Sequence, residues 1–115
     1  MNSRMERIEK LVKQESSIIL QEDVNDPAIG GVIITDIEIT RDMRIAKIYC
    51  TFSDNDPGKK SETLQALKRA SRFVRREISK RISLKFIPAI SFREDLTEKR
   101  SRSIDEVFEK IKEEK

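Results

Sequence analysis

The side chains best suited to chemistry in this sequence are the lysines and arginines concentrated between Lys59 and Lys85. That segment holds ten basic residues and only two acidic ones, Glu62 and Glu77, so its net charge is +8. The flanking segments are slightly acidic, and the whole chain carries a formal net charge of +3. Positive charge collected on one element of an otherwise slightly acidic chain is typical of binding to a phosphate backbone. The sequence therefore predicts recognition of a polyanion.

The sequence contains few residues suited to catalysis. The chain has no histidine and a single cysteine, Cys50, which excludes histidine general bases, Cys-His pairs and imidazole or thiolate-cluster zinc sites. Carboxylates could hold Mg²⁺ only if they converged, and neither Asp36 with Glu38 nor Glu94 with Asp95 indicates such convergence. The sequence also lacks a glycine-rich phosphate loop. We therefore predict a protein that is not an enzyme, with no metal, no cofactor and no small-molecule substrate.

Length and composition favour a single domain over residues 1–115. The chain has 115 residues, 37% apolar and 39% charged, and its apolar residues recur periodically, unlike those of disordered chains. Its first residues lack the apolar region of a secretory signal, no apolar run could span a bilayer, and Cys50 cannot form an internal disulfide. We expect a cytoplasmic protein without membrane contact. We also expect a monomer, because no surplus apolar stripe demands a partner, and a mobile tail from about residue 111.

The elements that must position the basic residues follow from caps and hydrophobic spacing. Ser3 and Glu6 can form a capping box, and apolar residues at helical spacing predict a first helix from there to about Glu22. Residues 32–40 are rich in β-branched side chains, and residues 44–53 alternate in polarity, so each predicts a strand. The short connection between them predicts an antiparallel hairpin.

The basic residues fall on a second helical segment. After an exposed loop predicted over residues 54–60, apolar residues from Ser61 onward follow three- and four-residue steps through about 22 residues. The cations occupy an adjacent arc, and few acidic residues stand four positions from them, so the arc is not a lattice of salt bridges. Eight side chains form the predicted phosphate-binding set: Lys68, Arg69, Arg72, Arg75, Arg76, Lys80, Arg81 and Lys85.

A third strand and a short last helix complete the prediction. Residues 86–93 alternate in polarity and place Phe86 on the same side as Ile90, while Pro88 suggests an edge position or the first residue of the strand. A second capping box and an apolar stripe predict a final helix over about residues 103–111. The order helix, strand, strand, helix, strand, helix suits helices packed on one face of a three-stranded sheet, a two-layer α+β domain.

Four segments of the chain resemble the bacterial ribosome-binding factor A family: DPAIG at 26–30, TRDMRIAKIY at 40–49, ASRFVR at 70–75 and PAISF at 88–92. The resemblance implies a type II KH-like fold in which a kink between two helices, here at Ala70, Ser71 and Arg72, replaces the usual Gly-x-x-Gly loop. It also implies late maturation of the small (30S) ribosomal subunit, acting on 16S rRNA near its ends and assisting its processing, with importance at low temperature. The expected partners are thus the 30S subunit and 16S rRNA.

Arg72 departs from the family pattern, which usually has glycine at the kink. Arginine favours helix and resists positive φ, so we expect a milder or shifted break. Because the chain has no Gly-x-x-Gly loop, a conventional KH grip on four single-stranded nucleotides is not expected. Binding should instead be led by contacts from lysine and arginine to rRNA phosphates, with guanidinium planes able to stack on exposed bases.

Two other functions fit the same basic face. The first is a protein-interaction module that docks an acidic partner, which would prefer an acidic protein to structured rRNA. The second is a generic KH-like nucleic-acid-binding domain outside ribosome assembly. Duplex DNA should then bind as well as rRNA, because a helix suited to the major groove would not depend on A-form geometry or the 2′-hydroxyl.

Overall fold

The structure has the order of helices and strands that caps and apolar spacing predict, as far as the third strand. A computed structural model describes residues 3–96. Its elements are α1 (Ser3–Glu22), a 3-10 turn (Pro27–Ile29), β1 (Val32–Ile39), β2 (Ile45–Phe52), α2 (Pro57–Arg81) and β3 (Ala89–Glu94). α1 covers the predicted range, and β1 and β2 match their predicted strands to within one residue at each end. The final helix predicted over about residues 103–111 and the tail lie outside the described residues.

β2 lies at the centre of a three-stranded sheet, with β1 antiparallel on one side and β3 parallel on the other. Ile48 of β2 faces Ile37 of β1 and Phe92 of β3 in the two registers. The β1–β2 register shifts between Ile34 and Asp36, so β1 is bulged there. A parallel pair needs a long crossover, and α2 supplies it. β3 therefore occupies an edge of the sheet, one of the two positions that Pro88 indicated.

Both helices cover one face of the sheet. Alternate residues of β2, namely Ala46, Ile48 and Cys50, have no exposed surface. They share a hydrophobic core with Val12 of α1 and Leu67 of α2, which are also fully buried. Burial of a side chain the size of Val12, Ile48 or Leu67 contributes about 1.5–3 kcal/mol. This layer therefore fixes the positions of the two helices on the sheet. The predicted two-layer α+β architecture is confirmed.

α2 begins four residues earlier than predicted. Asp56 is its N-cap, and the Asp56 carboxylate accepts a hydrogen bond from the Lys59 amide at 3.1 Å. Pro57 occupies the first helical turn, where its missing N–H leaves no hydrogen bond unmade. The prediction of a loop over residues 54–60 is therefore wrong for residues 57–60, which are helical. The helix that carries the basic residues is 25 residues long, or about 37 Å at 1.5 Å per residue.

The predicted break within the middle helix is also wrong. α2 is helical without interruption through Ala70, Ser71 and Arg72. A break of this kind needs a residue that takes positive φ readily, and arginine disfavours that conformation. Within residues 3–96 positive φ occurs only at Met43, in the turn between β1 and β2. The Ser71 hydroxyl donates to the Lys68 carbonyl at 2.7 Å, an accommodation of serine inside a continuous helix.

β3 begins three residues later than predicted. Its pairing starts where the Ala89 amide donates to the Arg44 carbonyl at 2.8 Å, just after Pro88, which is fully buried. Phe86 lies outside the strand and is 68% exposed, so its predicted inward position beside Ile90 is wrong. The Ile87 carbonyl accepts two hydrogen bonds from Arg75 of α2, and the pairing of β3 with β2 begins only at Ala89.

Candidate nucleic-acid interface

Four cations stand four residues apart along the solvent side of α2, and we call Lys68, Arg72, Arg76 and Lys80 the basic row. All four are exposed. Their spacing of one residue every helical turn aligns them over about 18 Å. Lys80 makes an ion pair with Glu77 at 2.9 Å. The other three have neither a hydrogen bond nor an ion pair from their side chains to any residue within 3–96, so their charge is available to an external anion.

The core fixes the direction in which the basic row points. Leu67, Val74 and Ile78 of α2 are fully buried, and they lie on the side of the helix away from the row. Two contacts hold the start of α2 in place. The Lys60 ammonium pairs with Glu94 of β3 at 3.0 Å, and the Thr63 hydroxyl donates to the Ala28 carbonyl at 2.9 Å. The row therefore projects from a helix whose rotation is set by packing.

Arg81 is engaged within the protein. Its guanidinium donates to Glu15 at 3.2 Å and to Asp23 at 2.6 Å, both in or just after α1. The Glu15 hydrogen bond, together with the negative charge of Asp23, raises the pKa of the Arg81 guanidinium. The side chain is 30% exposed. Arg81 thus links the end of α2 to α1 and is less available to RNA than the basic row.

The remaining members of the predicted set lie at the margins of the row. Arg75 donates two hydrogen bonds to the Ile87 carbonyl, in the loop between α2 and β3. Arg69 stands 4.0 Å from the Asp26 carboxylate, at the limit of an ion pair. The Lys85 ammonium lies 5.8 Å from the ring centroid of Phe86. Of the eight predicted cations, Lys68, Arg72 and Arg76 have no side-chain partner within residues 3–96, and the other five each contact another group of the protein.

The carboxylates considered for metal binding are dispersed. Asp36 accepts from the Ile37 amide at 2.8 Å, and Glu38 pairs with Lys47 at 3.2 Å. Glu94 pairs with Lys60. Across residues 3–96 no three potential ligands come together around a possible metal position. Neither helix in this part of the chain is long and apolar enough to cross a membrane.

Sequence reasoning missed Glu9, which supports the sheet from α1. Its carboxylate accepts a hydrogen bond from the Ile39 amide at 2.8 Å, at the end of β1. No local pattern connects these two residues, which are 30 positions apart. Sequence reasoning predicted the turn between β1 and β2 but missed the hydrogen bond that the Thr40 hydroxyl donates to the Asp42 carboxylate there.

Comparison with known proteins assigns the fold and the family. The family model of ribosome-binding factor A matches residues 4–108. The ribosome-binding factor A of Clostridium tetani is 40% identical over 96% of this chain and 91% of its own length, and that of Clostridium botulinum strain Loch Maree is 37% identical over 97% and 93%.

Solved structures agree. The solution structure of a Thermotoga maritima protein described as a ribosome binding factor A has a TM-score of 0.69 and 30% identity, covering 83% of this chain and 92% of that one. The crystal structure of ribosome-binding factor A from Thermus thermophilus shares the fold, with a TM-score of 0.69 and 17% identity over 78% of this chain and 93% of that one. The α+β arrangement is KH-like, as predicted, and the chain belongs to the ribosome-binding factor A family.

Proposed function

We propose that this protein binds 16S rRNA in the 30S subunit through the basic row, as a non-catalytic factor in late assembly. It would assist 16S rRNA processing and small-subunit maturation, including at low temperature, by holding an rRNA conformation that a nuclease or assembly step then uses. The observation that carries the proposal is the set Lys68, Arg72 and Arg76, three aligned cations without partners in the described part of the chain. We further propose that it acts as a cytoplasmic monomer.

Relatives support the choice of partner. A Thermus thermophilus ribosome binding factor A, which shares this fold at a TM-score of 0.64 and 18% identity, was fitted as a homology model into the cryo-electron microscopy map of a 30S complex. That description concerns the Thermus protein. Together with membership in the same family, it favours the 30S subunit over an acidic protein as the partner of the basic row.

The chemistry of the contact would be led by the phosphate backbone. Each phosphate that a lysine or arginine neutralises releases condensed counterions, so the logarithm of the binding constant falls linearly with the logarithm of salt concentration. Four contacts from the basic row predict a slope of about −3 to −4. The guanidinium planes of Arg72 and Arg76 can also stack on unpaired bases, which the ammonium groups of the row cannot do.

Co-sedimentation tests the proposal. The protein is mixed with immature 30S, mature 30S, 50S and 70S particles at two salt concentrations, as wild type and with Arg72→Glu plus Arg76→Glu. The matched control is Lys10→Glu plus Lys13→Glu on α1, which makes the same change in net charge on a different helix. We expect binding to small subunits that the α2 variant loses and the α1 variant keeps.

Three results would contradict the proposal. Wild type that ignores small subunits at both salt concentrations would remove the 30S as partner. Equal loss of binding in the two double variants would show that net charge matters and the position of the row does not. Duplex DNA or an acidic protein binding as tightly as rRNA would favour one of the two other functions that a basic helix can serve.

A further inference from the structure

An apolar cleft of about 300 Å³ opens beyond the end of α2, where α1, the β1–β2 turn and the α2–β3 loop meet. Its apolar lining comes from all three: Met5, Ile8, Met43, Leu84 and Phe86. Ile8 is buried and belongs to the hydrophobic core, and Met5, Met43 and Leu84 pack against that core. The cleft is thus a continuation of the core that reaches the surface.

Phe86 is the most exposed large apolar side chain within residues 3–96, at 68%. Its neighbour Lys85 places an ammonium group 5.8 Å from the ring centroid. An aromatic face left open to solvent beside a cation gains little from folding, because the ring buries little of its surface. A ring so placed can stack on a planar group that arrives from outside.

Met43, which lines the cleft, has a left-handed backbone conformation that the β1–β2 turn maintains. Its φ is 64°, in the left-handed region that residues with a Cβ disfavour. Side-chain hydrogen bonds maintain the turn, because the Asp42 carboxylate accepts from the Thr40 hydroxyl at 2.7 Å and from the Arg44 amide at 3.1 Å. A residue in this conformation commonly closes a short hairpin turn, so the turn fixes where the Met43 side chain lies in the cleft.

The charge around the cleft indicates the kind of ligand. Arg4 and Lys85 line it, and no acidic side chain is among its described lining residues. The basic row ends at Lys80 in the last turn of α2, and Lys85 of the cleft lies in the loop that follows that helix, so we place the cleft at the end of the row. A ligand with a planar apolar face and a negative backbone meets both features, and an unpaired nucleotide is such a ligand.

We propose that this cleft holds one unstacked base of single-stranded rRNA. The base stacks on Phe86 against the apolar wall formed by Met43 and Leu84, and the adjoining phosphates contact Arg4 and Lys85. The inference rests on the proposed function, since it extends the same RNA surface beyond the basic row. It adds a stacking contact to a surface otherwise made of ionic ones.

Tryptophan fluorescence tests the stacking directly. The chain contains no tryptophan, so Phe86→Trp introduces a single probe at the cleft. We expect its emission to be quenched on addition of 30S subunits and of protein-free 16S rRNA, because stacking on a base quenches indole. The control is Ile33→Trp in β1, at a side chain that is 64% exposed and does not line the cleft; its emission should not change.

Affinity provides the second measurement. Phe86→Ala should weaken binding to 30S subunits by about 5- to 150-fold, the range observed when a base-stacking side chain is replaced by alanine. The dependence on salt should keep its slope, because no ionic contact is removed. Phe86→Trp should retain wild-type affinity. Ile33→Ala, a truncation at a similarly exposed apolar residue, should bind as wild type does.

The outcomes separate this inference from the function on which it rests. If the Arg72 and Arg76 reversal abolishes 30S binding while Phe86→Trp stays unquenched in the bound protein, the basic row stands and the cleft assignment is wrong. If total 30S proteins quench the probe and 16S rRNA does not, the ligand is a protein and the cleft assignment is again wrong. If Phe86→Trp and wild type both fail to bind 30S subunits, the proposed function and the inference fail together.

Discussion

The guanidinium group of Arg75 donates two hydrogen bonds to the main-chain carbonyl of Ile87, at 3.0 Å from Nε and 2.8 Å from Nη2. This contact joins α2 to the loop that enters β3. The next residue, Arg76, is exposed and has no side-chain partner within the described chain. Two adjacent arginines on one helix therefore have different tasks: Arg75 holds the fold together, and Arg76 is free to bind an anion.

Alanine substitution should separate these two tasks. Arg75→Ala should lower the free energy of unfolding by about 1–2 kcal/mol, because it removes charge-assisted hydrogen bonds and leaves the Ile87 carbonyl without this donor. Arg76→Ala should change it by less than about 0.5 kcal/mol, as is usual for a surface substitution. Urea denaturation followed by circular dichroism measures both. Equal destabilisation of the two variants would contradict the assignment of a structural role to Arg75 and a binding role to Arg76.

The basic row should destabilise its own helix. Arg72 stands four residues from both Lys68 and Arg76, and like charges at this spacing cost about 0.2–0.5 kcal/mol per pair. Arg72→Glu turns both repulsions into attractions, so it should raise the melting temperature of the free protein while it weakens 30S binding. The uncharged variant Arg72→Gln should give an intermediate melting temperature. A lower melting temperature for Arg72→Glu at low salt would contradict the prediction.

Ser16 should be a site of easy stabilisation. It is fully buried, and its hydroxyl oxygen has no hydrogen-bond partner among the described residues. Burying an unsatisfied hydroxyl costs about 1–3 kcal/mol, and alanine is the better helix former. Ser16→Ala should therefore raise the free energy of unfolding by about 1–2 kcal/mol. Ser17→Ala makes the same change in helix propensity at the next, partly exposed position, so a gain confined to Ser16→Ala would identify burial as the cause.

Cys50 should report unfolding of the whole domain. Burial, with a smaller effect from the nearby charge of Asp95, raises the pKa of the Cys50 thiol to about 12. At pH 8 the reactive thiolate is then on the order of one molecule in ten thousand in the folded state, and the sulfur is also inaccessible. An aromatic disulfide reagent should label the native protein at the rate of unfolding and the urea-denatured protein at once. Rapid labelling of the native protein would show that β2 opens locally.

Local signals in the sequence account for most of the fold. The capping box at Ser3 and the polarity of β1 and β2 depend on neighbouring residues, and these elements lie where the sequence predicts them. The start of α2 was misplaced because Pro57 and Gly58 suggest a turn, whereas Asp56 before Pro57 forms a cap and first turn. The expected helix break came from family resemblance and failed because Arg72 has a strong preference for helix.

The site was less predictable, because the tertiary fold decides which of its charges are paired and which are not. Helical spacing correctly places Lys68, Arg72 and Arg76 on one exposed side of α2. It cannot show that Arg81 meets carboxylates 66 and 58 positions away, at Glu15 and Asp23. Contacts of this kind depend on how α1 packs against α2, and no periodicity within α2 encodes them.

Binding of RNA through the basic row should depend only weakly on temperature. Release of counterions from RNA is an entropic driving force, and its free energy scales with absolute temperature. Between 37 and 15 °C that contribution changes by less than about a tenth. An apolar interface, by contrast, loses strength on cooling because its heat capacity of association is large and negative. A factor that binds RNA through Lys68, Arg72, Arg76 and Lys80 would therefore retain most of its ionic binding free energy at low temperature.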